Sequence, residues 1–256
     1  MHYLIQENVF KDPRYNNIFE VMKELELSYE EIQFYPNSTI FDFKTDRKDI
    51  FVYGSVKLAK VATKFDWTPG SYYGNNHEYD KYSIGYGNNI LNFGSFICEF
   101  TEKFDWNNQI SLFIKPSRDA KVFTGKVFSK PEWEDLVYNT LNNKENNRVK
   151  ESTLIQVAKA HRIIKEARIW IVNKQIVTSS YYLFHGDVRY EETVSDEGLK
   201  FAKEMAEIYN VADAYVMDIG KTYDGWKIME VNCINSAGFY KAEVKKIVLA
   251  LEKLYT

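Results

Sequence analysis

Cysteine is scarce in this chain, surplus charge of either sign is absent, and no long apolar run interrupts it. Cys98 and Cys233 stand far apart without a CxxC or any metal-ligand spacing, which excludes a disulfide framework and a thiolate-bound structural zinc; both read as reduced, packed thiols. With 33 basic and 36 acidic side chains the formal net charge is -3, so no basic field is available to hold a nucleic acid and none is expected as a partner. Nothing approaches the roughly 20 apolar residues of a membrane helix, and the opening MHYLIQENVFKDPRYNN lacks the basic and apolar regions of a secretory signal. A cytoplasmic protein with no membrane partner is the expectation. GxxxxGK[ST] and GxGxxG are also missing, so neither a P-loop nor a dinucleotide fingerprint is present.

What the chain does have is 45% hydrophobic residues over 256 positions, enough to bury a real core in one large domain or two small ones. Its 19 Tyr and 17 Phe read as core and loop contacts, because no basic stripe accompanies them as a base-stacking platform would need.

Residues 3–6 read as an opening strand, Ile18, Val21, Met22 and Leu25 recur at helical spacing, and EIQFYP and DIFVYG read as two further strands: a small parallel α/β unit. After Gly54-Ser55, Val56, Leu58, Ala59 and Ala62 predict a short helix. From Trp67 to Gly94 periodicity fades into a loop-rich connector, and a domain boundary is expected shortly after it. Beyond about residue 110 the pattern is mostly strands: ISLFIKPS, STLIQVA, KEARIWIV, QIVTSSYYLF, AYVMDIG and WKIMEVN. Helices are expected at Glu132–Leu141, after Ser195-Asp196 along Leu199, Ala202, Met205 and Tyr209, and at the end along Val244, Ile247, Val248, Leu251 and Leu254. NNKENN reads as a solvated turn.

The segment DIGKTYDGWKIMEVN raises a chemical question, since acids sit where a core residue belongs. Asp224-Gly225 is a turn signal, so 214–219 and 226–231 form a hairpin, and folding about residue 224 sets position 218 opposite 230. Alternation by two puts Asp218, Glu230 and Asn232 on one face. Opposed carboxylates repel unless the face is simply wet or a cation lies between them. Oxygen donors without His or Cys suit Mg²⁺, which prefers one or two carboxylates plus waters and phosphates.

Lys115 interrupts the apolar strand FIKPS, and Glu166 and Arg168 lie two apart in KEARIWIV. Cations beside such a metal site are what phosphoryl transfer needs, as charge develops on phosphate oxygens; an edge-strand lysine and a surface ion pair are the plainer alternatives. SRDAKVFTGKVFS, between Lys115 and the next helix, is either a flap over phosphates or a hairpin turning at Thr124-Gly125. Cys233 alternates away from Glu230 and Asn232, and none of the four histidines is given a role.

FIKPS, LIQVA, KEARIWIV, VMDIG and IMEVNCINSAGF, in that order and rough spacing, resemble the motif series of the ATP-grasp superfamily. VYGS and FDWTPGSYY resemble the lead-in domain of its short stand-alone members. The resemblance implies an α/β (α+β) ATP-grasp fold: a small parallel α/β lead-in domain over residues 1–105, then an ATP-grasp domain over 106–256. The latter would comprise a small subdomain about 106–157 and a large one about 158–256 with a mainly antiparallel sheet. It implies that Lys115 contacts the α- and β-phosphates, that Gln156, Val157 and Ala158 form the hinge reading adenine, and that Arg168 faces the triphosphate or a phosphorylated intermediate. Asp218, Glu230 and Asn232 would hold Mg²⁺ against ATP, with Ser236 and Gly238 near the acceptor end. Departures from the family pattern concern the flap, where Lys121 and Lys126 replace Gly and Ser, and the ribose partner, for which Glu166 is not a clear hinge acid and Gln156 or Lys159 would substitute. The implied activity is a carboxylate-amine ligase that forms an amide or peptide bond through an acyl phosphate, releasing ADP and phosphate. Arg168 and Lys115 are its catalytic candidates, and Lys126 and Glu166 join the nucleotide contacts. Its substrates would be a carboxylate and an amine, small or belonging to a peptide or protein. A phosphotransferase and a catalytically silent nucleotide-binding regulator are the alternatives.

Overall fold

The computed structural model describes residues 1–10, 17–34, 41, 43–117, 123–143 and 149–255. By contact the chain sorts into two compact units, Met1–Tyr86 with Ile163–Thr256, and Gly87–Arg162.

The first unit opens with β1 (His2–Gln6), a short α1 (Glu7–Phe10), α2 (Asn17–Glu24), β2 (Tyr29–Ile32), β3 (Ile50–Tyr53), α3 (Val56–Lys64) and α4 (Tyr79–Tyr86). β1 is the centre of a three-stranded parallel sheet in the order β2-β1-β3, with Tyr3 between Tyr29 and Phe51. Parallel strands need cover on both faces. Tyr3 and Ile5 enter one core while Leu4 enters another with Val52, Leu58, Ala62 and Trp67. α3 begins at Ser55, whose hydroxyl accepts the Leu58 N–H at 3.4 Å, satisfying one of the orphan donors of a helix start. The parallel unit agrees with the sequence pattern, although Tyr35 and Pro36 of the expected EIQFYP strand lie outside the described residues. The connector does not stay irregular: α4 forms inside it, burying Tyr82 and Tyr86. No apolar stripe at helical spacing announces that helix, since its buried side consists of two tyrosines four residues apart.

The second unit carries β4 (Phe96–Glu99), β5 (Ser111–Pro116), β6 (Lys126–Ser129), α5 (Lys130–Asn142) and β7 (Leu154–Lys159), with an antiparallel sheet in the order β4-β7-β5-β6. One sheet face buries Leu112, Ile114, Phe128, Ile155 and Val157 under Trp133 of α5. The start of α5 is a capping box: Glu132 accepts from the Ser129 N–H and hydroxyl, both at 2.7 Å. β4 comes from the stretch before residue 105, yet pairs with β7, Ile97 lying opposite Gln156. The SRDAKVFTGKVFS segment ends as β6 paired with β5, Ile114 opposite Lys126; its residues 118–122, Lys121 among them, lie outside the described residues, as do 144–148 of the expected solvated turn.

The chain then returns to the first unit through β8 (Lys165–Val172), β9 (Gln175–Phe184), β10 (Asp187–Glu191), α6 (Asp196–Ile208), β11 (Ala214–Thr222), β12 (Gly225–Cys233) and α7 (Val244–Tyr255). These strands make an antiparallel sheet in the order β10-β9-β8-β11-β12. A single apolar core joins it to the parallel sheet: Trp170, Ala214 and Val216 meet Tyr3, Phe51 and Tyr53, closed by Ile18 and Met22 of α2 and by Ile247, Val248 and Leu251 of α7. The α/β fold with parallel and antiparallel sheets is the class expected from the sequence. Among the described residues no helix is long and apolar enough to cross a membrane.

Asn235, 1% exposed, fastens the parallel sheet to the segment after β12. Its Nδ2 donates to the Val52 carbonyl, its Oδ1 accepts the Tyr72 N–H at 2.9 Å, and its own carbonyl accepts the Gly54 N–H at 2.7 Å. Asn235→Ala leaves two buried backbone groups unpaired at about 1–3 kcal/mol each, so a loss of about 2–4 kcal/mol is expected in urea unfolding. A loss below about 1 kcal/mol would mean that water or a neighbour replaces the amide.

Candidate functional site

The antiparallel sheet of the first unit turns one face toward the shared core, and along that face its composition changes from apolar to charged. Opposed pairs of β8 and β11 run Val172–Ala214, Trp170–Val216, Arg168–Asp218, Glu166–Gly220. β9 and β12 extend the third pair into a row across four strands, Ser180–Arg168–Asp218–Glu230. Asn232 lies beside it, opposite Val216.

Asp218 faces Glu230 by way of a β-bulge. The hairpin turns tightly at Tyr223-Asp224, with Thr222 opposite Gly225, so a regular ladder would set Asp218 against Met229. An extra residue in β12 shifts the register between Asp218 and Ile219 and brings Glu230 opposite instead. Met229 lies over Gly220, where an added Cβ would come within 2.7 Å of its Sδ. Gly225 takes a φ of 120°, which a residue with a side chain rarely adopts.

The row is held by charge and hydrogen bonds. Arg168 grips Asp218 with two parallel bonds, Nε to Oδ1 and Nη2 to Oδ2, each 2.8 Å, and the side chains are 11% and 3% exposed. Asn232 Nδ2 donates to Glu230 Oε1 at 2.9 Å and reaches Asp218 Oδ2 at 3.4 Å. Burial pushes the Asp218 carboxyl above the ordinary carboxylate value, against the pull of Arg168. For Arg168 burial opposes the charge, but Asp218 outweighs it and holds the guanidinium cationic above the ordinary arginine value. Burial also raises Glu166, although its Oε2 accepts the Tyr182 hydroxyl at 2.8 Å. Tyr182 is itself held well above the usual tyrosine range by burial and by the Asp218 and Glu166 charges, so it stays a donor.

Around this row lie residues that the sequence pattern did not single out. Tyr240 stacks on both Tyr182 and Tyr190, centroids 5.2 Å apart in each case, and its ring lies 5.1 Å from the Arg168 guanidinium carbon. Ser180 Oγ and Thr178 Oγ1 accept the Lys241 and Glu243 N–H groups, each at 3.1 Å, docking the segment after β12 on β9. Gly238 contributes its carbonyl to Arg168 at 3.4 Å, while Ser236 is exposed. From α4, Tyr82 is close enough to feel the charge of Glu230. The TSSYY run and the second Asn of EVNCIN were the available signals, but hydroxyls in strands and asparagines after them are usually solvated.

In the second unit, Lys115 lies opposite Gln156 on one sheet face. Gln156 is buried, its Nε2 donating to Ser95 Oγ at 2.7 Å. Val157 and Ala158 are buried beside it. Lys126 is exposed on β6, its Nζ 4.8 Å from the Phe128 ring. Arg162 and Lys159 are exposed, and Cys98 and Cys233 are buried free thiols.

Solved structures with this fold are ATP-grasp enzymes. D-alanine–D-alanine ligase from Bacillus anthracis complexed with ATP superposes with a TM-score of 0.64 at 11% identity over 98% of each chain. D-cycloserine synthetase DcsG gives 0.61 at 11% over 100% of this chain and 99% of that one. The ligase PsnB, complexed with a minimal precursor variant, Mg and ADP, gives 0.58 at 11% over 100% and 98%. The fold is therefore that of the ATP-grasp proteins. Residues 87–251 match the family model of an ATP-grasp domain, family 3 of its clade, and the chain belongs to that family. No curated protein sequence matches it.

Two outcomes follow from the burial of these groups. Burial pushes the Cys98 thiol up to about 11 and Cys233 up to about 12, so both stay protonated at pH 8 and the native protein is expected to resist iodoacetamide, taking up two equivalents only in urea. Mass spectrometry counts the adducts, and rapid native labelling of Cys233 would contradict its packed position. A raised Glu166 means the folded state binds more protons than the unfolded one between the ordinary carboxylate value and the folded one, so stability falls as pH rises through that window. Glu166→Gln is expected to match wild type in melting temperature at pH 4 and to exceed it at pH 7.5; equal melting at both pH values would remove the burial penalty.

Proposed function

We propose that this ATP-grasp protein is an ATP- and Mg²⁺-dependent carboxylate-amine ligase, activating a carboxylate with the γ-phosphoryl group of ATP and joining it to an amine as ADP and phosphate leave. The observation that carries this reading is the polar row Arg168–Asp218–Glu230 with Asn232, set on a face that is otherwise core. Nothing about the fold needs charge there.

The donor set fits Mg²⁺. Two carboxylates and an amide converge within hydrogen-bond distance of one another, and among the described residues no group of three or more His, Cys, Asp and Glu forms a richer cage. Magnesium commonly takes few protein oxygens and completes its shell with water and phosphate. Asp218, Glu230 and Asn232 would hold it, and when bound it would neutralise charge on the phosphate oxygens.

The chain's own groups supply positioning and charge, which is most of what phosphoryl transfer requires. Arg168 offers a fork suited to phosphate or carboxylate oxygens. Glu166 and Tyr182 fix the polar character of the neighbouring row. Lys115 is assigned the α- and β-phosphates, Lys126 a further phosphate contact, and Gln156, Val157 and Ala158 the adenine, all on the motif resemblance. The division into a lead-in segment, 1–105, and two grasping subdomains, about 106–157 and 158–256, belongs to the same proposal. Its substrates are a small or peptide carboxylate and an amine, classes with precedent in D-alanine–D-alanine ligase and in PsnB with its precursor.

Calorimetry with a non-hydrolysable ATP analogue tests the reading. Binding should depend on Mg²⁺ and weaken about ten-fold or more, about 1.4 kcal/mol, in Glu230→Ala. An ADP-release screen of amino acids and peptides would follow, and a product that joins two substrates separates a ligase from a phosphotransferase. No nucleotide binding with or without Mg²⁺ would overturn the proposal.

A further inference from the structure

We propose that Arg168 is the resident counter-cation of Asp218, that a divalent cation must displace it, and that a polyphosphate draws it off, so that cation and polyphosphate bind cooperatively through this one side chain. The inference rests on the ATP and Mg²⁺ reading above and concerns how that site is filled.

The acceptor capacity of Asp218 is nearly used up. A carboxylate has about four acceptor positions. Here Oδ1 takes Arg168 Nε at 2.8 Å, while Oδ2 takes Arg168 Nη2 at 2.8 Å and Asn232 Nδ2 at 3.4 Å. With 3% of the side chain exposed, no oxygen faces open solvent. A cation arriving alone would have to break a buried bidentate pair and then lie next to the displaced guanidinium. Both steps are unfavourable, because a buried charge stripped of its partner is costly and like charges at short range repel.

A polyphosphate changes both terms. Its oxygens accept the same two-pronged contact that Asp218 offers, so the guanidinium exchanges one anion for another rather than losing its partner. The remaining ties on Arg168 are weaker: a 3.4 Å bond to the Gly238 carbonyl and the Tyr240 ring at 5.1 Å. Tyr240 sits at a φ of 51°, uncommon for a residue with a side chain. Once Arg168 turns to phosphate, Asp218 and Glu230 face each other without a cation. That uncompensated negative charge favours the divalent ion, and by linkage each ligand raises the affinity for the other by the same factor.

The test uses Mn²⁺, read by the electron paramagnetic resonance of the free ion, and inorganic tripolyphosphate, each titrated alone and together. Wild type should bind Mn²⁺ weakly by itself and about ten-fold or more tightly with tripolyphosphate. Arg168→Met should bind Mn²⁺ alone about ten-fold more tightly than wild type, with the mutual enhancement falling toward one. Arg168→Lys keeps the charge but not the fork and should lie between; if the methionine variant does not fold, as judged by circular dichroism, this variant decides. Equal Mn²⁺ affinity in wild type and folded Arg168→Met, or enhancement that persists without the arginine, would overturn the exchange. Binding of the Mg²⁺–ATP analogue by wild type in the same experiment keeps such a failure separate from a failure of the ligase reading, in which no nucleotide binds at all.

Discussion

A charge placed on the core face of a sheet must be paired, and the Arg168–Asp218 contact is how this protein meets that constraint. The surroundings of the pair follow from it. Asn232 bridges the two carboxylates because Glu230, left opposite Asp218, needs a donor of its own. The loop after β12 passes close enough for Gly238 and Tyr240 to cover the guanidinium, and Ser180 and Thr178 hold that loop down. Removing either charge would leave the other stranded in a partly apolar setting, a far larger perturbation than the loss of a surface ion pair.

Much of this was legible in the chain because it depends on local pattern. Alternation by two and the Asp-Gly signal were enough to place Asp218, Glu230 and Asn232 on one face. Folding about residue 224 gives the pairing that the structure contains, although by a different route: the turn is one position tighter, and the bulge at Met229 restores the register. A bulge has no reliable signature in a single sequence, since nothing in KIMEV distinguishes a regular strand from one carrying an extra residue.

What could not be read depends on residues brought together from distant parts of the chain. α4 is hidden because its buried residues, Tyr82 and Tyr86, sit among Gly and Asn. Asn235 is one more polar residue after a strand until Val52 and Tyr72 are known to lie beside it. In the second unit β5 and β7 were visible as apolar strands, whereas β4 is only four residues long and became a strand by pairing with β7.

The chain leaves the first unit at Tyr86 and re-enters it at Ile163, and the core of that unit draws on Tyr3 at one end and Leu251 at the other. During synthesis, therefore, every residue of the second unit has been made before the first can close its core. Until α7 emerges, Tyr3, Phe51 and Tyr53 have no final cover, and the parallel sheet exposes an aromatic face on the ribosome. Burden on chaperones would fall on the N-terminal segment, and would do so because of the order in which the chain is threaded, whatever the stability of the finished fold.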